Sequence, residues 1–148
     1  MIREPLQTQG LMVRLGVHVS VAGGVERAVS RASEKGCDSF QIFSSNPRDW
    51  RASPISQESA HGFISELRSS GLYPAVDHMP YLPNLASARE EVYVKSIKAL
   101  AEELDRCRML EIPYLVTHLG SHLGAGIEMG LQRIVAAMQS ALEGSDGR

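Results

Sequence analysis

Four short β-prone runs alternate with four stretches of helical periodicity, and no hairpin signal joins any two of the runs. The runs are Leu15–Val19 (LGVHV), Ser39–Phe43 (SFQIF), Tyr73–Asp77 (YPAVD) and Pro113–His118 (PYLVTH). Between and after them, apolar residues recur at steps of three and four. Val25, Ala28, Val29 and Ala32 mark a first helix closed by Gly36. Ala60, Phe63, Ile64 and Leu67 mark a second, starting near Ser56 and stopped by Gly71. Ile97, Leu100, Ala101 and Leu104 lie in a long third helix over Ser87–Leu110. Ile127, Leu131, Ile134, Val135, Met138 and Leu142 form the cleanest stripe, in a fourth. Such alternation demands parallel strands joined by right-handed helical crossovers. Two architectures satisfy it: an open doubly wound sheet, or four units of a (β/α)8 barrel, which needs about 250 residues when whole. No Gly-rich phosphate fingerprint follows the first strand, so the sequence argues against a dinucleotide site.

Composition narrows the function more than the fold. The chain has 148 residues and a formal net charge of −2, which excludes a globally basic nucleic-acid binder and leaves room for a local cationic site. Cys37 and Cys107 have no metal-ligand spacing. They read as buried apolar fillers in a reducing, cytoplasmic setting. No apolar run reaches the roughly 20 residues of a membrane span, so no membrane partner is expected. Residues 1–12 lack an apolar signal core and are expected to form a disordered leader before a domain over 13–148, with Met12 an alternative start.

In both architectures ligands bind at the C-terminal ends of the strands. Three histidines fall there: His18, His78 and His118. Adjacent parallel strands are about 4.8 Å apart, so imidazoles at the ends of the third and fourth strands can share a metal. Zinc accepts neutral imidazole nitrogens, but two are too few for a tight site. The bland alternative is a set of hydrogen-bonded loop histidines. His122 could line the site or cap the fourth helix, and His61 reads as surface or packing. Period 2 puts Gly16 and His18 on one face of the first strand and Leu15, Val17 and Val19 on the other. The loop Ser44–Arg51 combines Asn46, Arg48, Trp50 and Arg51, a set able to track phosphates and wedge against bases. Equally, Trp50 could cover the end of the sheet while the arginines are merely solvated. Tyr81, on a proline-stiffened loop, could meet a ligand or simply pack.

Four segments together resemble a known family. GVHVSVAGG (16–24), NPRDWRASP (46–54), HMPYLPNL (78–85) and THLGSH (117–122) are similar, in order, to the strand-end motifs of endonuclease IV, over about Leu15 to Leu142. The resemblance implies a (β/α)8 barrel of the kind shared with sugar isomerases, of which this chain is the N-terminal half, with four βα units and parallel strands. It implies DNA base-excision repair: hydrolysis of the phosphodiester 5′ to an abasic site, leaving a 3′-hydroxyl, with three zinc ions. His78 and His118 match two ligands of one zinc. Asn46, Arg48 and Trp50 match the loop that enters the minor groove, and Tyr81 a residue that opens the stack. His18 matches a strand-end histidine that is not a ligand. Leu119 departs from the pattern, standing where the family usually has proline.

The family's remaining ligands follow on later strands, so this chain is expected to carry only part of the active site. Both sheet edges would then be open. The partners expected are duplex DNA with abasic sites and either a second copy or a separate C-terminal half. The competing expectations are a sugar-phosphate isomerase or epimerase of the same barrel class, and a non-catalytic truncated fragment.

Overall fold

The computed structural model describes residues 7–8 and 11–146, with side chains for residues 13–144. Four parallel strands, β1 (Gly16–His18), β2 (Ser39–Ile42), β3 (Ala75–His78) and β4 (Tyr114–Val116), form one sheet in chain order. Each is followed by a helix: α1 (Arg27–Glu34), α2 (Gln57–Ser70), α3 (Glu90–Met109) and α4 (Ile127–Asp146). This is half of a (β/α)8 barrel, with the strands on the concave side and the helices outside. Gln7–Thr8 and Leu11–Met12 pair antiparallel. Most of the expected leader over 1–12 lies outside the described residues.

The register sorts side chains onto two faces. His18 pairs with Gln41, Gln41 with Val76, and Val76 with Tyr114, so these four share the concave face. Their chain neighbours Phe40, Ile42, Ala75 and Asp77 point the other way and are buried under the helices. There Phe40 meets Phe63 of α2 edge-on, with ring centroids 6.3 Å apart, beside Val29 of α1 and Leu110 after α3. Burial of each such side chain contributes about 1.5–3 kcal/mol. Ser56 caps α2 by accepting from the Ser59 N–H at 3.1 Å, and Gly71 ends it at φ 73°, as the sequence signals indicate.

Three expectations need correction. The third strand begins at Ala75 rather than Tyr73 and runs on to include His78. Pro74 has no N–H to give to a ladder. The third helix begins at Glu90 rather than Ser87, because Ser87 is a buried turn residue whose Oγ accepts from Arg89 N–H. The apolar stripe of the fourth helix is only partly covered. Ala137 and Ala141 are fully buried, and Ile134 and Met138 flank them against Tyr93 and Leu100 of α3. Ile127, Leu131 and Val135 remain more than half exposed. Small residues let the two helices approach closely, and α3 then covers only one side of an arc wider than one helix contact.

The edges repeat this theme. Leu15 and Val17 lie on the helix side of the edge strand β1, yet are 59% and 46% exposed. Tyr114 and Val116, on the concave side of β4, are also exposed. Among the described residues no helix is long and apolar enough to cross a membrane.

Candidate active site at the strand ends

The concave face ends in a cluster of rings. His78, the last residue of β3, has its centroid 5.1 Å from that of His118, two residues beyond β4. Tyr81 stands over the pair, 5.8 Å from His78 and 5.9 Å from His118. Phe43, just past β2, joins the cluster from the other side, 4.4 Å from His18, 5.1 Å from His78 and 5.2 Å from Tyr81. Phe43 is a hub that sequence reading left as the end of a strand. Its signal was available: it shares the strand-end position and face of His18 and His78.

The hydrogen bonds give the first and third histidines opposite tautomers. Nδ1 of His78 lies 2.7 Å from the Met79 carbonyl oxygen, which can only accept. Nδ1 therefore carries the proton, and Nε2 keeps a lone pair, as a metal ligand requires. In His18, Nδ1 accepts from the Gln41 side-chain amide at 3.0 Å. The proton of neutral His18 then sits on Nε2, which is a donor rather than a ligand. Burial lowers the pKa of His18 from its ordinary 6.5, and nearby His78 lowers it further against the opposing pull of Asp77. His118 is exposed.

The turn that carries His118 is held by Asn84. Its side-chain Nδ2 donates to Ser121 O at 2.9 Å and its Oδ1 accepts from Ser121 N–H at 3.0 Å. Gly120, at φ 91°, lies so close that a Cβ there would overlap Asn84 Oδ1. This clasp fixes the turn at Leu119. His122 turns away from the rings. Its Nδ1 accepts from the N–H groups of Gly124 and Gly126, at 3.2 and 3.1 Å, ahead of α4. These bonds order the loop that leads into α4, which starts at Ile127. His61 is an exposed residue of α2.

Asn46, Arg48 and Trp50 lie on the loop between β2 and α2, at the rim of the cluster. Tyr81 N–H donates to Pro47 O at 3.1 Å, which ties this loop to the one bearing Tyr81. Asn46 Oδ1 accepts from Arg48 N–H at 3.1 Å, forming a local turn. The guanidinium of Arg48 makes no hydrogen bond or ion pair among the described residues. Trp50 is 37% exposed and shares a cavity wall with Pro83, Ala99 and Glu103, on the α3 side of the loop rather than among the rings. The structure thus brings His18, His78, His118 and Tyr81 together, sets Asn46 beside His18 with Arg48 exposed further along the same loop, and puts Trp50 on the α3 side.

Behind the sheet lies a buried polar network that the sequence did not reveal. Asp77, with no exposed surface, accepts from Ser44 N–H at 2.9 Å, Ser44 Oγ at 2.7 Å and His78 N–H at 2.9 Å. Cys107 is part of the buried apolar core, as expected, and its Sγ also lies 3.7 Å from Asp77. Cys37 is only half-buried. Burial pushes the Cys107 thiol pKa up, and the neighbouring carboxylates add to the rise. Ser44 Oγ also lies 2.9 Å from Glu103 Oε2 and accepts from Arg106 Nε at 3.0 Å. A hydroxyl has one proton to share between two carboxylates. Burial, with Asp77 adding to it, pushes Glu103 up to about 7. Below that pH a proton on Glu103 lets Glu103 donate to Ser44 Oγ while Ser44 donates to Asp77.

A parallel half-barrel with imidazoles at its strand ends defines the chain as a TIM-barrel protein with its site where the strands stop. The family described as xylose isomerase-like TIM barrel matches residues 29–146, and the chain belongs to that family. Within it, the chain is similar to the probable endonuclease 4 of Methanoculleus marisnigri, at 56% identity over 132 residues, covering 89% of this chain and 47% of the relative. It is 53% identical to the probable endonuclease 4 of Methanocorpusculum labreanum over 92% of this chain and 49% of that protein. The crystal structure of endonuclease IV from Thermus thermophilus superposes with a TM-score of 0.82 at 36% identity, covering 92% of this chain and 48% of that one. A D-tagatose 3-epimerase-like protein shares the fold alone, with a TM-score of 0.62 at 15% identity. The chain spans about half the length of the relatives it matches.

Proposed function

We propose that this chain forms part of the active site of a zinc-dependent DNA endonuclease that cuts on the 5′ side of abasic sites in base-excision repair. The carrying observation is the pair His78 and His118, with ring centroids 5.1 Å apart at neighbouring strand ends. His78 has its Nε2 lone pair free for a ligand, and both rings lie under Tyr81 beside a rim bearing Arg48. A bound zinc supplies charge to neutralise the phosphate and lowers the pKa of its water.

The chain's own residues divide the remaining work. His78 and His118 hold one metal of the three that the endonuclease IV resemblance implies. His18 Nε2–H donates to a substrate oxygen. Arg48 and Asn46 contact the backbone in the minor groove, and Tyr81 stacks where a base is missing, which makes extrusion of the sugar cheap. Two imidazoles are half of a tetrahedral set. Among the described residues no group of three or more His, Cys, Asp or Glu could hold a metal. We assign the rest to a complementary half-barrel seated on the open β1 and β4 edges. A sugar isomerase has no use for the cationic rim at Arg48, which favours DNA.

The test is nicking of a duplex with one abasic site by the 148-residue chain, with zinc and with chelator. Chelator-sensitive cutting on the 5′ side supports the reading. If a supplied C-terminal half yields no cutting either, while small carbohydrates are turned over, the isomerase reading replaces it.

A further inference from the structure

The loop 44–53, which carries Asn46, Arg48 and Trp50, is held at both ends by one side chain from behind the sheet. Arg106 of α3 donates through Nη2 to Ser44 O and through Nη1 to Ser53 O, the latter at 2.9 Å, while its Nε reaches Ser44 Oγ at 3.0 Å. Glu103, one helical turn earlier, takes the adjoining residue: its Oε1 lies 2.5 Å from Ser45 Oγ. Both side chains are buried, at 9% and 2% exposure. Arginine and glutamate are almost never buried unless paired, so their placement here calls for a reason. The crown of the loop presents the reverse picture, with Asn46, Arg48 and Trp50 exposed. Its backbone is shaped by short turns, with Asn46 Oδ1 accepting from Arg48 N–H and Asp49 Oδ1 from Arg51 N–H, and is tied to the next loop at one point, where Tyr81 N–H donates to Pro47 O at 3.1 Å.

Arg106 also borders cavities on both flanks of the loop. One, about 770 Å³, is shared with His18, Phe43 and Asn46; the other, about 600 Å³, with Trp50, Lys95 and Lys98. At the Ser44 end the fork acts beside Asp77, which accepts from Ser44 N–H and Oγ; at the Ser53 end it supplies the bond to the carbonyl oxygen. A lysine could supply the charge but not three donors in a fixed plane.

We propose that Arg106, backed by Glu103, is a positioning residue for nucleic-acid recognition: it fixes the two ends of the loop so that Asn46 and Arg48 stand ordered before DNA arrives. The proposal rests on the DNA reading above for its ligand, but not for its mechanics. A loop ordered in advance binds more tightly because the ordering cost is not charged to the complex.

Trp50 is the chain's only tryptophan and reports on the loop directly. In Arg106→Lys, far-UV circular dichroism should be unchanged. Acrylamide quenching of Trp50 should rise about twofold, and the amides of residues 45–52 should exchange about tenfold faster. Affinity for a duplex with one abasic site should fall about tenfold, yet by less than about twofold when Arg48→Ala is already present, since the two changes act through one loop. Unchanged quenching and exchange in a folded Arg106→Lys protein would overturn the proposal. So would a full affinity loss that persists in the Arg48→Ala background, because Arg106 would then act elsewhere. If Arg106→Lys does not fold, Ser45→Ala removes the loop-side bond to Glu103 and is judged by the same quenching and exchange readouts. If the wild-type chain binds no abasic duplex, the DNA reading falls, and the Trp50 and exchange measurements alone decide the positioning role.

Discussion

Asp77 and His78 are adjacent in the chain and lie on opposite faces of β3. Asp77 points behind the sheet, where Ser44, Cys107 and the His78 backbone surround its carboxylate. His78 points to the concave side, where one ring nitrogen is satisfied by Met79 O and the other meets no donor among the described residues. One strand therefore carries a closed polar site and an open one, a single residue apart. In the closed site every polar group answers to another within the chain, so its value is order. In the open site an acceptor is left unanswered, so its value is binding. Alternation along a strand lets the first brace the second.

The sharpest way to break the contrast is Arg106→Ala. It leaves the buried Ser44 O without its donor and should cost about 1–3 kcal/mol in urea unfolding. His118→Ala, on the open side, should change stability by less than about 0.5 kcal/mol while removing zinc binding, read by competition with a chromophoric chelator. Equal losses of stability in both variants would erase the distinction drawn here.

A pH titration sharpens the closed half. Folded Glu103 holds its proton up to about 7, against an ordinary 4.5. Between those values the folded state binds more protons than the unfolded chain. Its contribution to stability is therefore complete below about pH 4.5 and is lost as pH rises through about 7, a difference on the order of 1–3 kcal/mol. The lowered pKa of His18 acts with the opposite sign nearby, so the measurement is the difference between wild type and Glu103→Gln. Glu103→Gln should flatten the fall; a parallel curve would mean that Glu103 is ionised throughout.

Smaller effects belong to the clasp between the two halves of the site. Gly120→Ala meets Asn84 Oδ1 and a φ of 91°, and should cost about 1–2 kcal/mol in thermal unfolding. Asn84→Ala should cost less, about 1 kcal/mol, and loosen the His118 turn, seen as faster exchange of the Ser121 amide. If Gly120→Ala is neutral, the turn at Leu119 does not depend on Asn84.

The alternation of strands and helices was legible in the sequence because period 2 and period 3.6 are local signals. The strand-end histidines were legible for the same reason: a barrel puts chemistry where strands stop. The closed network was not, since Ser44, Asp77, Glu103 and Arg106 are brought together across 33 to 62 residues. Arg106 could be read only as a cation suited to the end of a helix dipole. The fourth helix shows the converse limit. Its stripe gave the helix, but periodicity does not say how much of an apolar arc a neighbour covers. Trp50 shows that a loop's composition does not fix which flank each side chain takes.

The order of the sheet is the order of the chain, and this bears on how it assembles. Val17 pairs with Phe40, Phe40 with Ala75, and Asp77 with Leu115, separations of about 23, 35 and 38 residues. The entropy of closing a loop grows only with the logarithm of its length, so the shortest and longest of these differ by about 0.4 kcal/mol. Topology thus gives no strand pair a decisive head start. Contact quality sets the nucleus, and the buried Phe40–Phe63 packing between β2 and α2 makes that region the place where mutations should slow folding most.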